Sequence, residues 1–444
     1  MRKKITSHII LLTIVSILAG KLLLSQGHDN VLFLSYGLTV TIGILFVFFV
    51  VFNFYKDPYK VALNSKFTKG GRNLISCILA VRNEQDLIER CVLSIIHQTY
   101  ANKEIIVVDD ESTDATPILL ARLARNYNIK VITLTKNVGK KKAIARAIAE
   151  SKGSILAFSD SDSVLAPDAL EKIELIFAHD PLVGAVSGHC RALNSEKNIL
   201  TKIQDTWYEG QFSIRKAFES VFGAVTCVSG PLAVFRREAV FNFIPAWEGD
   251  MFLGQEFRFA TDRTLTAFVL GSKYLEKSLK RKYRNSPFIT SVNYPAKDWK
   301  VVYSKSAKVW TNIPDTFPKF IKQQVRWKKS FIRNIFFTGS FYWRKPFIPA
   351  AVYYTHILFV LLGPFIVARH IIYLPLRGNF ETGFLYIVGI AFVGFLYGLA
   401  YKFEENSDYK WIFRPIMSLM STFILSWLIF YSLFTIRKSI WIRG

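Results

Sequence analysis

Two aspartates, Asp160 and Asp162, follow the apolar run Ser154-Ile-Leu-Ala-Phe-Ser159. Carboxylates at this spacing on a turn can share a hard divalent cation whose other ligands are substrate phosphates. Asp-x-Asp alone is usually structural, but it lies here at the carboxyl end of a short buried-strand pattern, where open α/β sheets bind ligands. A second acidic pair, Asp109-Asp110, ends the run Val107-Val108. Such a strand end can hydrogen-bond a nucleobase edge and ribose, or merely cap the next helix. Asn137-Val-Gly-Lys140-Lys-Lys142 opens a helical pattern, where unpaired N–H groups and lysine attract an anion; a solvated basic helix start is the plain alternative.

Three further segments complete the set. Val228-Ser229-Gly230-Pro231-Leu232 reads as a tight turn before an apolar strand, Ala233 to Phe235. Thr261-Asp262-Arg263 begins another helical stretch, with Asp262 either its cap or a general base. Sugar transfer with inversion needs one carboxylate to take the acceptor hydroxyl's proton, and a carboxylate at a helix start stays ionised. Gln323, Arg326 and Trp327 stand at i, i+3 and i+4 and share a helix face. That face offers an amide, a guanidinium for phosphate and an aromatic plate for a sugar ring. The combined chemistry is that of a nucleotide-sugar.

The elements that must position these groups alternate strand with helix. Strands are predicted at Leu74–Val81, Glu104–Val108, Lys130–Leu134 and from Ile155, with helices at Asp86–His97, Ala115–Arg125 and Lys140–Ser151. This alternation predicts a parallel sheet covered on both faces. No GxGxxG is present, so a dinucleotide site is not supported. Asn198–Ser220 is a mixed amphipathic segment carrying Trp207, Tyr208, Phe212 and Phe218. Asp315–Phe337 is a clearer one: Phe317, Ile321, Val325, Ile332 and Ile335 form its apolar face, and Lys319, Lys322, Lys328, Lys329 and Arg333 the other. A basic amphipathic helix before an apolar run is expected to lie in a membrane interface, with a core helix carrying a solvated face as the plain alternative.

The chain has 444 residues, 51% of them hydrophobic, with a net charge of +24 and a mean hydropathy of +0.25. This suits one soluble domain plus several membrane passes. The charge fits anionic lipid and the positive-inside bias, or a basic cleft for diphosphate. No nucleic-acid-binding module accompanies it, so nucleic acid is not an expected partner. The cysteines Cys77, Cys91, Cys190 and Cys227 lack CxxC spacing and read as reduced thiols of a cytosolic domain.

Apolar runs at Ile5–Leu24, after Met1-Arg-Lys-Lys4 and with Lys21 near its far end, and at Val31–Phe54 predict two passes that return the chain to the cytosol. Runs at Phe347–Tyr373, Gly383–Tyr401 and Ile412–Phe434 follow the catalytic region. Three passes there put Arg437, Lys438 and Arg443 outside, against the charge rule. Either the first run bends at Gly363-Pro364 into two passes, or the last is re-entrant. The expected division is 1–55 for two membrane helices and 56–314 for the soluble domain. Residues 315–345 are then interface helices and 346–444 a second membrane cluster.

The ordered set Asp109-Asp110, Asp160-Ser-Asp162, Asp262-Arg263 and Gln323-Gln-Val-Arg326-Trp327 resembles the processive family-2 glycosyltransferases. Cys227-Val-Ser-Gly-Pro-Leu232, Gln323 to Arg333 and Tyr431-Ser-Leu-Phe-Thr-Ile-Arg-Lys438 are similar to the hyaluronan synthases among them. The resemblance implies a cytosolic α/β GT-A domain, Rossmann-like with a mixed sheet, joined to an α-helical transmembrane bundle in the cell membrane. It implies UDP-sugar donors (UDP-GlcNAc, with UDP-GlcA a further candidate), Mg²⁺ or Mn²⁺, and a growing polysaccharide extruded through the enzyme. By position, Asp109 or Asp110 would touch uridine, Lys140 the donor, and Asp160 and Asp162 the metal-bound diphosphate. Asp262 would be the base. Gln323, Arg326 and Trp327 would hold diphosphate and acceptor, while Cys227, Ser229, Gly230 and Pro231 line the acceptor end. Two departures leave the sugar open. Ala260-Thr261 stands where the family usually carries Gly-Asp or Gly-Glu, and Asp-Asp-Glu-Ser at 109–112 is closer to chitin-type enzymes. The alternatives are a chitin- or cellulose-type synthase, a transferase adding one sugar to a lipid, and a non-catalytic sugar-binding scaffold or transporter.

Overall fold

The computed structural model describes residues 31–65, 72–404 and 409–438. The expected first pass at Ile5–Leu24, with Lys21, and the terminal Arg443 lie outside them. The region between the apolar helices is built on strands β1 (Ile75–Val81), β2 (Lys103–Asp109), β3 (Lys130–Thr133) and β4 (Ile155–Ser159). With them stand β5 (Ser163–Leu165), β6 (Val183–Ala192), β7 (Ala233–Arg236) and β8 (Lys300–Thr311). They form one sheet in the order β3-β2-β1-β4-β7-β6-β8-β5. The first four are mutually parallel, as the alternation predicts. β1 and β4 are near-continuous apolar runs because helices cover both faces.

The sheet as a whole is mixed. β7 runs antiparallel to both β4 and β6, which the strand-helix alternation, ending before β7, did not reach. Phe158 pairs with Ala233, so β7 begins where β4 ends. The turn before β7 therefore lies beside the aspartates after β4.

Helices α1 (Val31–Phe54), α2 (Ile88–Ile96), α3 (Thr116–Asn126) and α4 (Lys140–Glu150) agree with the sequence pattern. The amphipathic segment after β6 is α5 (Ile199–Gly210), continued by a π-helical stretch, Gln211–Lys216, and a short helix, Ala217–Val221. α6 (Thr261–Lys282) and α7 (Phe317–Gly339) follow. Then come the apolar helices α8 (Phe347–Ala368), α9 (Phe380–Glu404) and α10 (Leu428–Phe434).

Among the described residues three stretches, Leu38–Leu63, Phe347–Leu376 and Phe380–Lys402, are long and apolar enough to cross a membrane. Tyr409–Leu425 with Leu428–Phe434 qualifies as a pair bent by 42°. The helix runs on through Pro364, so the break falls in the last segment rather than at Gly363-Pro364. Arg191 fastens sheet to bundle: it pairs with Asp205 through two hydrogen bonds of 3.0 and 2.7 Å and donates to Tyr401 Oη on α9 at 2.8 Å.

The basic face expected on α7 is only partly solvated. Lys329 and Arg333 are buried. Lys329 Nζ donates to the carbonyls of Thr435 (2.6 Å) and Lys438 (2.8 Å), near the end of α10. Arg333 pairs with the buried Asp250 at 2.5 Å, and Asp250 also accepts from Lys141 at 2.9 Å. α7 is thus packed between domain and bundle, and part of its charge is structural.

Candidate active site

A cavity of about 1460 Å³ opens at the carboxyl ends of the parallel strands. Lys140, Asp160, Asp162 and Asp262 line it, as do Gln323, Arg326 and Trp327, together with Cys227, Ser229, Gly230 and Pro231 of the turn before β7. Groups more than 160 residues apart thereby meet in one space. Asp109 and Asp110 do not line it.

Asp110 has a structural task. Its carboxylate accepts from Val138 N (2.7 Å), Gly139 N (2.9 Å) and Asn137 Nδ2 (3.1 Å), shaping the loop that opens α4. Gly139 has φ +87°, a conformation glycine adopts at little cost. Asp109 accepts from Ser112 N at 3.1 Å through Oδ1, while its Oδ2 is buried without a hydrogen-bond partner. A buried, unsatisfied carboxylate oxygen is costly, so it marks a place for a donor group.

Lys140, the first residue of α4, forms an ion pair with Asp160. Burial opposes its charge, but Asp160 holds its pKa above the ordinary lysine value. Asp162 accepts from Thr311 Oγ1 at 3.0 Å. Burial, then the neighbouring Asp160, push its carboxyl up to about 6. Two carboxylates facing one cavity, one of them resisting ionisation, form a site that a divalent cation would relieve. Among the described residues no cluster of three or more His, Cys, Asp or Glu is suited to a metal. Two carboxylates completed by substrate phosphates are the usual arrangement for Mg²⁺.

Asp262 is not the cap of α6. The cap position is Ala260, at φ +59°, a left-handed conformation that disfavours alanine by roughly 1–2 kcal/mol. Asp262 instead turns toward the 227–231 turn, accepting from Gly230 N (3.3 Å) and Cys227 Sγ (3.6 Å) as well as from Arg263 N (2.8 Å). Burial, then Asp262, raise the Cys227 thiol to about 11, so it stays protonated. Gly230 touches both acidic centres: a Cβ added there would stand 2.8 Å from Asp160 Oδ2.

Trp327 stacks on Trp207 with centroids 5.4 Å apart and planes at 25°, and Tyr208 lies 6.2 Å away. The buried Gln323 Oε1 lacks a hydrogen-bond partner. Past the aromatic cluster the cavity continues to His356 and Val360 of α8, and to Leu428 and Tyr431 of α10. Sequence reasoning had Trp207 and Tyr208 only as part of an amphipathic face, and missed Lys216, Arg215 and His356 as cavity residues. The aromatic density of residues 207–218 was the one signal available.

Residues 76–241 match the family model described as Glycosyl transferase family 2. Over 360 residues the chain is 29% identical to the hyaluronan synthase of Streptococcus pyogenes, covering 78% of this chain and 77% of that one. It is 32% identical over 269 residues to an N-acetylglucosaminyltransferase of Rhizobium leguminosarum bv. viciae, covering 59% and 56% respectively. Among solved structures, the mannosyltransferase PcManGT of Pyrobaculum calidifontis, in complex with GDP-Man and Mn²⁺, is 18% identical, with a TM-score of 0.45 over 86% of this chain and 98% of that one. With the acidic strand ends and the mixed sheet already described, the match places a glycosyltransferase family 2 domain at residues 76–241 of this chain.

Proposed function

We propose that the chain is a membrane-embedded, inverting, processive glycosyltransferase that builds a polysaccharide from UDP-sugars and extrudes it. The observation that carries this reading is the convergence of Asp162, Asp262 and Trp327 on one cavity that continues between apolar helices. A transferase to a small soluble acceptor has no use for that continuation. The catalytic domain then faces the cytoplasm, where UDP-sugars are made.

The acceptor hydroxyl approaches beside Trp327, whose ring and that of Trp207 form a plate for the terminal sugar. Asp262 takes the hydroxyl proton as its oxygen attacks the anomeric carbon from the face opposite UDP. The bond from that carbon to the diphosphate oxygen breaks, and the electron pair leaves with UDP. Asp160 and Asp162 would hold Mg²⁺ or Mn²⁺, which when bound offsets charge on the departing diphosphate. Lys140 and Arg326 supply fixed positive charge to the same oxygens. UDP-GlcNAc is the first donor, in line with the N-acetylglucosaminyltransferase relative, and UDP-GlcA the second.

Purified protein in detergent, given UDP-GlcNAc with and without UDP-GlcA and Mn²⁺, is expected to release UDP and form long chains. EDTA is expected to stop the release. Linkage-specific hydrolases then identify the polymer. Products limited to single additions would refute processivity, and no UDP release from any donor would favour a scaffold.

A further inference from the structure

The ammonium of Lys216 is buried in the cavity wall among neutral acceptors. The residue is 8% exposed, and Nζ donates to Ser187 Oγ (3.0 Å), Cys227 O (2.7 Å) and Ser229 Oγ (2.5 Å). The Phe212 ring centroid lies 4.4 Å from it. Burial pulls its pKa below the ordinary lysine value. Burying an ammonium against hydroxyls and a carbonyl is costly, and a neutral side chain would pack there at less cost. The π-helical stretch that ends at Lys216 keeps Tyr208, Phe212 and Lys216, four residues apart, in one column. π-turns inside helices recur at functional sites.

What the ammonium holds is the turn between the two acidic centres. Lys216 grips that turn at Cys227 and Ser229. On one side of it Gly230 N donates to Asp262. On the other, Pro231 O accepts from Ser159 Oγ at 3.0 Å, next to Asp160, and Gly230 leaves no room for a Cβ against the Asp160 carboxylate. Ser187, on β6, anchors the assembly to the sheet and also accepts from Ser229 N at 3.4 Å. One point charge with three diverging donors thus ties β6 to both sides of the turn.

We propose that Lys216 is a positioning residue for transfer: through the 227–231 turn it sets the spacing between the Asp160/Asp162 pair and Asp262. The proposal rests on the reading of Asp262 as the base. All three donors of the Lys216 ammonium are engaged by β6 and the turn, so its loss is expected to act on the chemical step and not on donor binding. Misplacement of a reacting group by 1 Å costs on the order of 100-fold in rate.

The test uses the full chain in detergent with UDP-GlcNAc and Mn²⁺, reading UDP release, and UDP affinity by calorimetry. Lys216→Met is expected to lower kcat about 100-fold, while KM for UDP-GlcNAc and Kd for UDP change by less than about threefold. Lys216→Arg, which keeps a charged multi-donor group, is expected to recover activity to within about tenfold of the parent. Should Lys216→Met fail to fold, Ser187→Ala removes one anchor of the same ammonium, and a tenfold fall in kcat at constant KM is expected. A kcat within threefold of the parent in the Met variant, or in the Ala variant where it stands in, overturns the proposal. So does a loss that appears in KM, or an Arg variant no better than Met. A parent chain that releases no UDP sinks the proposed function instead, a distinguishable result.

Discussion

Replacing Gly230 by alanine adds one methyl group beside Asp160. An ideal Cβ at this position stands 2.8 Å from Asp160 Oδ2, 3.1 Å from Oδ1 and 3.2 Å from Cγ. Carbon and oxygen in ordinary contact are separated by roughly 3.4–3.5 Å, so turn and carboxylate must part by about half an ångström. The Asp160 side chain is short and held by Lys140, and Gly230 N is held by Asp262. The displacement therefore passes into the Asp160–Asp262 spacing proposed above to govern transfer. Scaling the roughly 100-fold loss per ångström gives a fall in kcat of about 10- to 100-fold, or about 1.4–2.8 kcal/mol of barrier. Global stability should fall by only about 1 kcal/mol, the low end for overpacking. Gly153→Ala is the control. Its Cβ would meet Ser76 N at 2.6 Å and Leu74 O at 2.7 Å, main-chain atoms of the sheet that cannot yield. That variant should lose thermal stability while its folded fraction keeps the parent kcat. UDP-release kinetics beside a thermal melt in detergent measure both. Gly230→Ala at full kcat, or losing only stability, would refute the argument that this contact sets the geometry.

Asp262→Asn and Asp162→Ala should each abolish transfer, by at least the 100- to 10,000-fold typical of a lost acid-base group, with unchanged melting; robust sugar incorporation in either would overturn the role assigned. Asp250→Ala strands the buried Lys141 and Arg333 and should cost about 3–5 kcal/mol, read as a lowered thermal midpoint; an unchanged midpoint would show that the pair is not holding α7 to α4. The Cys227 thiol, raised to about 11, should exist as thiolate to roughly one part in a thousand at pH 8. Its alkylation by iodoacetamide should then be slow and rise tenfold per pH unit up to about 11, since the thiolate is the nucleophile. Mass-spectrometric mapping across pH checks this, and rapid labelling at pH 8 would contradict the environment described.

Features whose information is local could be read along the chain. β1 to β4 and the helices between them follow from apolar runs and helical periodicity, because each such element is specified by its own residues. The parallel arrangement places the carboxyl ends of β2 and β4 on one edge, so Asp109 and Asp160 were legible as strand-end groups. Gln323, Arg326 and Trp327 were legible as one helix face. Other features arise only when distant segments pack together. β7 is too short to declare its direction, yet its antiparallel pairing puts Gly230 against Asp160. Lys329 and Arg333 look solvated by spacing and are buried, because their acceptors lie about 80 to 110 residues away. Ala260 departs visibly from the family pattern, but its left-handed backbone shows only in the fold. Lys216 and Trp207 are ordinary members of an amphipathic segment until the sheet, the turn and α7 close around them. Contacts between distant segments depend on how the chain packs, and no spacing along it encodes them.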